Sequence, residues 1–125
     1  MSDEKHILLL EDEPDTRAMM EAMIRSGGYR VTAVETGNAA VTAAREDPPD
    51  LVVSDLNVPG LDGIKFIAML RHIRTFEAPI IVVSGLTRER AAQGARDAGA
   101  DDFLAKPVTR DVLLERIQAL LNRKS

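Results

Sequence analysis

The sequence predicts an α/β fold: one doubly wound domain whose parallel sheet of five strands carries helices on both faces. Five short apolar runs recur along the chain, without the polar alternation of strands that face water on one side. Stretches with apolar residues at helical spacing separate them, an alternation typical of right-handed βαβ units. The 125 residues suffice for one substantial core and not for two.

The predicted strands are short and rich in leucine and β-branched residues. They are His6–Leu10, Val31–Val34, Leu51–Ser54, Pro79–Val83 and Phe103–Ala105. Runs of this kind are typical of strands that are buried on both faces of a parallel sheet.

Helices are predicted over residues 14–26, 38–46, 63–73, 88–98 and 109–122. Pro14 suits the first turn of the first helix, Asp12 is its expected cap, and Gly27 and Gly28 end it. Gly94 lies inside the fourth helix, where glycine costs about 1 kcal/mol relative to alanine, so this helix should be the weakest. The apolar faces are predicted at Met19, Met20, Met23, Ile24, Ala40, Val41, Ala44, Ile64, Ile67, Met69, Leu70, Ile73, Val112, Leu113, Ile117, Leu120 and Leu121.

Composition excludes several classes of function. The net charge of −4 offers no electrostatic footprint for nucleic acid. The absence of cysteine excludes disulfides, thiolate catalysis and zinc–thiolate sites, and it suits a reducing cytoplasm. We see no signal peptide, no membrane span and no glycine-rich nucleotide-binding loop.

Polar side chains gather where the predicted strands end. Glu11, Asp12 and Glu13 follow the first strand, Asp55 and Asn57 the third, Ser84 the fourth and Lys106 the fifth. Ligands of doubly wound sheets bind outside the carboxyl ends of the strands. We therefore expect one site at this edge.

Each of these residues also has a purely structural interpretation. Asp12 and Ser84 could cap helices, Asp55 could belong to a turn, and Lys106 could be a solvated lysine. Taken singly, these interpretations are favoured. Taken together, the structural interpretations are less convincing, because four separate strands deliver complementary polar groups to one edge.

Electrostatics favours a cation at this edge. Two carboxylates about 5 Å apart repel by roughly 3 kcal/mol at an effective dielectric near 20. Glu11, Asp12 and Asp55 would make three such pairs against Lys106. Clustered carboxylate and carbonyl oxygens suit Mg²⁺, and a carboxylate beside a metal, a lysine and a hydroxyl suits phosphoryl transfer.

Four motifs in order resemble the response regulator receiver domain of two-component signalling. They are LLLEDEP at 8–14, LVVSDLNVPGLDG at 51–63, IIVVSG at 80–85 and GADDFLAKP at 99–107. The resemblance covers essentially the whole chain. It implies a flavodoxin-like sheet with strand order 2-1-3-4-5, and one receiver domain over residues 1–125 with no output domain in this chain.

The resemblance also implies a phosphorylation site. Asp55 resembles the phospho-acceptor aspartate. Glu11 and Asp12 resemble the acidic pair that holds Mg²⁺, directly or through water, together with Asp55 and the backbone carbonyl of Asn57. Glu11 stands where aspartate is commoner in the family.

Further roles follow from the motifs around Ser84 and Lys106. Ser84 resembles the hydroxyl that bonds the phosphoryl group and switches, and Lys106 resembles the lysine that pairs with that group. The Lys106–Pro107 bond is expected to be cis. Phe103 resembles the switch aromatic, although a plain core phenylalanine is equally compatible with the sequence.

The function implied is that of a phospho-accepting receiver. A sensor histidine kinase or a histidine phosphotransfer protein would present phosphohistidine, and the domain would catalyse its own phosphorylation and dephosphorylation. The face around residues 86–110 would then meet an output partner or a missing effector domain. The resemblance implies a cytoplasmic protein that binds no nucleic acid or membrane directly, as a monomer or a weak phosphorylation-dependent dimer.

Two alternatives stay open. A small hydrolase or phosphatase could use the same aspartate, although Asn57 stands where such enzymes usually have a second acid. A degenerate receiver could act as a phosphorylation-independent protein-binding module. All of the polar residues that the family site requires are present, which argues against the second alternative; they are Glu11, Asp12, Asp55, Ser84 and Lys106.

Overall fold

A computed structural model describes residues 4–55, 63–72, 77–85 and 89–123 of the chain. Five strands alternate with five helices, as predicted. The elements are β1 (His6–Leu10), α1 (Pro14–Arg25), β2 (Arg30–Val34), α2 (Gly37–Glu46), β3 (Leu51–Asp55), α3 (Gly63–Arg71), β4 (Ile80–Ser84), α4 (Glu89–Ala98), β5 (Asp102–Ala105) and α5 (Arg110–Arg123).

The sheet confirms the predicted topology. Its strand order is β2-β1-β3-β4-β5, and the neighbouring strands pair in parallel. β1 lies between β2 and β3, so the chain reverses its direction of winding after β2. The carboxyl ends of β1 and β3 are adjacent at this point, where doubly wound sheets bind their ligands.

Alternate residues of the strands enter two separate cores. Leu8, Leu10, Val52, Ile80 and Val82 pack with α2, α3 and α4, whereas Ile7, Leu9, Val53, Ile81 and Val83 pack with α1 and α5. Because side chains alternate along a strand, burial on both sides requires continuous apolar runs. This explains the absence of polar alternation in the sequence.

Three residues predicted on apolar helix faces are only about half covered. Met19, Met69 and Val112 are 50%, 45% and 42% exposed. Each lies next to a deeply buried residue, Met20, Leu70 or Leu113, and neighbours on a helix point about 100° apart. The apolar stripes are therefore narrower than predicted. Ile64 and Ile73 lie outside the described side chains.

The cap of α1 also differs from the prediction. The Glu13 side chain, not that of Asp12, accepts a hydrogen bond from the Thr16 amide at 2.7 Å. Glu13 has the extended backbone of an N-cap residue and immediately precedes Pro14. The correction matters for the site, because capping makes no use of the Asp12 carboxylate.

Among the helices described, none combines the length and the apolar character that a membrane crossing requires.

Candidate functional site

The strand ends bring the predicted polar residues to one edge of the sheet. Asp55 ends β3 beside Val83 of β4, and Ser84 ends β4 beside Ala105 of β5. Glu11 immediately follows β1, and its amide donates to the carbonyl of Val34 at 3.0 Å. Parallel pairing alone therefore places contributions from β1, β3, β4 and β5 side by side.

Glu11, Asp12 and Asp55 form an acidic cluster in which one oxygen from each lies within 4.8 Å of the others. Glu11 and Asp55 are only 1% and 5% exposed, whereas Asp12 is intermediate. Three carboxylates that include two buried ones strongly favour a neighbouring cation. A hard divalent cation such as Mg²⁺ prefers such oxygen ligands, so the donor set fits it.

Lys106 is the cation seen in the described part of the cluster. Its Nζ lies 2.7 Å from Oε1 of Glu11 and 3.1 Å from Oδ2 of Asp55. The lysine therefore bridges the two buried acids. Sequence reasoning placed Lys106 beside the phosphoryl group, and its shorter contact, to Glu11, was not foreseen.

Burial and hydrogen bonding have opposite effects on the pKa values of Glu11 and of Lys106. Burial raises the pKa of the Glu11 carboxyl above its ordinary value, and the hydrogen bond from Lys106 offsets only part of that rise. Burial by itself lowers the pKa of the Lys106 ammonium, but its hydrogen bonds to Glu11 and Asp55 outweigh this effect and raise the pKa. Lys106 therefore stays charged.

Both oxygens of Glu11 are engaged by donors of the protein. Oε1 accepts from Lys106, and Oε2 accepts from the Glu13 amide at 3.2 Å. Within the described ranges, no donor of the protein contacts the Asp12 carboxylate. Asp12 is thus the acid whose oxygens are most available to a metal ion.

The remaining predicted residues are placed as follows. Ser84 is fully buried at the end of β4, and the Lys106 amide donates to its carbonyl at 2.8 Å. The Lys106–Pro107 peptide bond is cis. Phe103 is partly buried against the core that contains Leu8, so its ring lies at the boundary of the packed interior. Asn57, the predicted carbonyl ligand, lies outside the described residues.

A cavity of about 270 Å³ opens beside Lys106. It is lined by Thr16, Met19, Met20, Val83, Lys106, Pro107 and Val108. Sequence reasoning missed it, because its walls come from α1, β4 and the segment after β5. Its mainly aliphatic lining borders one side of the lysine.

Arg17, on the first turn of α1, was also missed. Its Nη1 donates to the backbone carbonyls of Glu11 and Asp12 at 3.1 and 3.3 Å. The same atom lies 3.7 Å from Oε2 of Glu35. The one signal in the sequence is the short spacing between the acidic segment and an arginine in the helix that follows it.

Comparisons with known proteins agree with this geometry. The profile of the response regulator receiver domain family matches residues 7–118. The transcriptional regulatory protein KdpE of Mycobacterium tuberculosis is 38% identical over 119 residues, which cover 95% of this chain and 52% of KdpE. The chain therefore spans about half the length of this curated relative.

Two solved structures share the fold closely. The receiver domain of the sensor histidine kinase PA1611 from Pseudomonas aeruginosa, with a magnesium ion coordinated in its active site cleft, is 34% identical. Its TM-score is 0.88, with 95% of this chain and 98% of that one covered. The chemotaxis response regulator CheY4 of Vibrio cholerae is 25% identical, with a TM-score of 0.88 and coverage of 94% and 98%.

The family profile extends over nearly the whole chain and covers four strands completely and all of β1 except His6, and the solved receivers share the observed fold. The chain therefore belongs to the response regulator receiver domain family of two-component signalling.

Proposed function

We propose that this receiver accepts a phosphoryl group on Asp55 from a phosphohistidine of a sensor histidine kinase or a histidine phosphotransfer protein. One observation carries the proposal: Glu11, Asp12 and Asp55 meet within 4.8 Å at the carboxyl edge, and Lys106 bridges two of them. A cluster built only for stability would pair its acids with more cations.

Asp55 acts as the nucleophile. A carboxylate oxygen of Asp55 attacks phosphorus, the phosphorus–nitrogen bond of phosphohistidine breaks, and the imidazole leaves with the bonding electrons and takes up a proton. Dephosphorylation restores the Asp55 carboxylate: water attacks phosphorus, the bond to the aspartyl oxygen breaks with its electrons left on that oxygen, and inorganic phosphate leaves while the proton lost by the water passes to solvent. The domain thus promotes both steps without being a conventional enzyme.

Lys106 and Ser84 would act on the transferred group. The lysine already contacts the Asp55 carboxylate at 3.1 Å, so a phosphoryl oxygen on Asp55 falls within its reach. An ammonium in this position offsets the charge that accumulates on the phosphoryl oxygens. The Ser84 hydroxyl would donate to one of those oxygens from the neighbouring strand.

Asp12, Asp55 and Glu11 would hold Mg²⁺, with the carbonyl of Asn57 as a further ligand. Asp12 and Asp55 would contact the ion directly, and Glu11, whose two oxygens are engaged, would contact it through water. Bound Mg²⁺ supplies positive charge that offsets the negative charge of the phosphoryl oxygens. The magnesium-bound PA1611 receiver supports this assignment by similarity.

Phosphorylation would bias a two-state equilibrium through Ser84 and Phe103, toward the face around residues 86–110. That face would meet an output partner or an effector domain, in a cytoplasmic pathway, as a monomer or a weak phosphorylation-dependent dimer. Phe103 supports this role by its position, because its ring is only partly buried at the boundary of the core.

Intact mass after incubation with acetyl phosphate and Mg²⁺ tests the proposal. We expect a gain of one phosphoryl group that requires both Mg²⁺ and Asp55. Asp55→Asn and a metal-free sample are the controls. Labelling of the Asn variant would refute the assignment of Asp55.

An absence of labelling in a protein that binds Mg²⁺ would call for phosphorylated histidine kinases as donors. If those also failed, the acceptor role would be refuted and the chain would act as a phosphorylation-independent binding module.

A further inference from the structure

We propose that Arg17 is a positioning residue that sets the direction of the Asp12 carboxylate by fixing the backbone on both sides of Asp12. This inference rests on the proposed function, since it assigns Asp12 to the Mg²⁺ site.

The contacts of Arg17 are made to two consecutive peptide groups. Its Nη1 donates to the carbonyl of Glu11 at 3.1 Å and to that of Asp12 at 3.3 Å. An Nη atom of arginine carries two N–H bonds, so this one atom has a hydrogen for each of the two carbonyls. The Arg17 side chain is 24% exposed, so water competes only partly for these bonds.

These two peptide groups flank the α-carbon of Asp12. The Glu11 carbonyl belongs to the peptide before Asp12, and the Asp12 carbonyl belongs to the peptide after it. Peptide groups are planar, so holding both planes fixes φ and ψ of Asp12. Those two angles determine where the Cα–Cβ bond points, and therefore where the carboxylate lies.

Among the described residues, Arg17 makes the one contact that holds the peptide group before Asp12. The peptide group after Asp12 has a further hydrogen bond, because its Glu13 amide donates to Oε2 of Glu11 at 3.2 Å. Within the described ranges, the carbonyl of Glu11 is held by Arg17, and the Asp12 carboxylate has no donor of its own. Its direction consequently depends on the backbone.

Glu35 lies on the other side of the guanidinium. Its Oε2 is 3.7 Å from Nη1 of Arg17, and its side chain is 66% exposed. Such an exposed pair contributes little to stability. Glu35 follows β2, so the guanidinium of Arg17 lies between the acidic segment and the β2–α2 connection.

Charge and geometry predict opposite outcomes when Arg17 is removed. Loss of a positive charge near the acids would by itself strengthen cation binding. Loss of the two hydrogen bonds frees Asp12 and weakens binding, and groups that orient a metal ligand commonly contribute about tenfold or more to affinity. The sign of the change therefore separates a positioning role from a merely electrostatic one.

The experiment compares Arg17→Met with Arg25→Met in the full chain. Arg25 lies on the same helix, and it also pairs with an acid, Glu21, and donates to a backbone carbonyl, that of Val31. Calorimetric titration with Mg²⁺ should show about tenfold weaker binding for Arg17→Met and little change for Arg25→Met. In metal-free protein, the three-bond HN–Hα coupling of Asp12 should change in Arg17→Met alone.

Unchanged or tighter Mg²⁺ binding by Arg17→Met overturns the inference, whatever the effect on stability. An unchanged Asp12 coupling in metal-free protein also overturns it, even if the wild type were to bind no Mg²⁺. Failure of the proposed function would appear elsewhere, as a wild-type protein that binds Mg²⁺ and takes no phosphoryl group from any donor.

Discussion

At the carboxyl edge of the sheet, Glu11, Asp12 and Asp55 lie close together, and the ammonium of Lys106 contacts only Glu11 and Asp55 among them. At the amino edge, a single acid, Asp101, contacts two arginines: Arg71 at 2.9 Å and Arg123 at 2.8 Å. Both edges hold acids near the core. They differ in how completely those acids are neutralised.

The amino edge joins segments of the fold through paired groups. Arg71, at the end of α3, also donates to the carbonyls of Ala78 and Gly99, and Asp101 accepts from the Ile80 amide. Arg30 and Asp47 form a second pair at 2.8 Å. These contacts link the ends of α2, α3 and α5 to the starts of β2, β4 and β5.

His6 is an exception at that edge. It is almost fully buried, and its Nε2 lies 2.7 Å from Oγ1 of Thr32, yet Nδ1 has no hydrogen-bond partner in the described residues. Oδ1 of Asp47 lies 3.9 Å away, beyond hydrogen-bond reach.

The difference separates stability from function. Acids with full sets of partners hold the fold together, whereas an acidic excess around one lysine leaves a site that gains from a metal ion and can accept a charged group.

The largest effect is expected for Lys106→Met in metal-free buffer. Removing the ammonium leaves Glu11 and Asp55 buried without a cation, which should cost about 3 kcal/mol of unfolding free energy. Urea denaturation measures the loss, and added Mg²⁺ should restore part of it. Exposed Lys65→Met should change stability by less than about 0.5 kcal/mol. Equal losses in both variants would contradict the buried-pair interpretation.

Arg71→Met should destabilise the amino edge by about 2 kcal/mol, because two carbonyls and Asp101 lose a charged donor. Its side chain is 25% exposed, whereas that of Arg123 is 59% exposed. Arg123→Met, which loses the more exposed contact to the same acid, should cost only about 0.5 kcal/mol. Thermal and urea unfolding of both variants measure the ratio, and similar losses would argue against this ranking.

Asp12→Asn should act in the opposite direction. Removing one of three crowded charges should stabilise the metal-free protein by about 1 kcal/mol, since like charges at this separation repel. The same change should reduce the stabilisation that Mg²⁺ gives the wild type. Asp15→Asn, in the first turn of α1, should stabilise nothing, because an acid there favours the helix. A destabilised Asp12→Asn protein would show that the acids do not repel.

The smallest effect concerns pH and the Arg30–Asp47 pair. The hydrogen bond from Arg30 lowers the pKa of Asp47 below its ordinary value of 3.8. A lowered folded-state pKa means that the stabilisation is present above 3.8 and is lost as pH falls through the folded-state value. Urea unfolding from pH 5 to about pH 2 should therefore show a slightly flatter acid profile for Arg30→Gln than for the wild type. Arg45→Gln should leave the profile unchanged, and equal profiles for wild type and Arg30→Gln would contradict the prediction.

The fold was predictable because its signals are local. Each strand is a short apolar run, and each observed strand begins and ends within a residue or so of its predicted bounds. Helix faces were less predictable. Met19 and Met69 are apolar, yet their exposure depends on how each helix is rotated against the sheet.

The gathering of acids was also predictable, because parallel strands place their carboxyl ends at one edge. The partner of each acid was not. Lys106 and Glu11 are separated by 95 positions in the chain, and their contact depends on the lateral order of the strands and on side-chain length. Capping was misassigned for a similar reason, since Asp12 and Glu13 are adjacent and only the backbone shows which of them caps α1.

The sequence by itself determined the alternation of strands and helices, the residues at the strand ends and the family, because hydrophobic periodicity and motif order are properties of the chain. Tertiary structure alone decided that Lys106 bridges Glu11 and Asp55 and that Arg17 holds the backbone around Asp12. Contacts of this kind require side chains from separate elements to meet within about 3 Å, and hydrogen bonds lose their strength quickly beyond that distance.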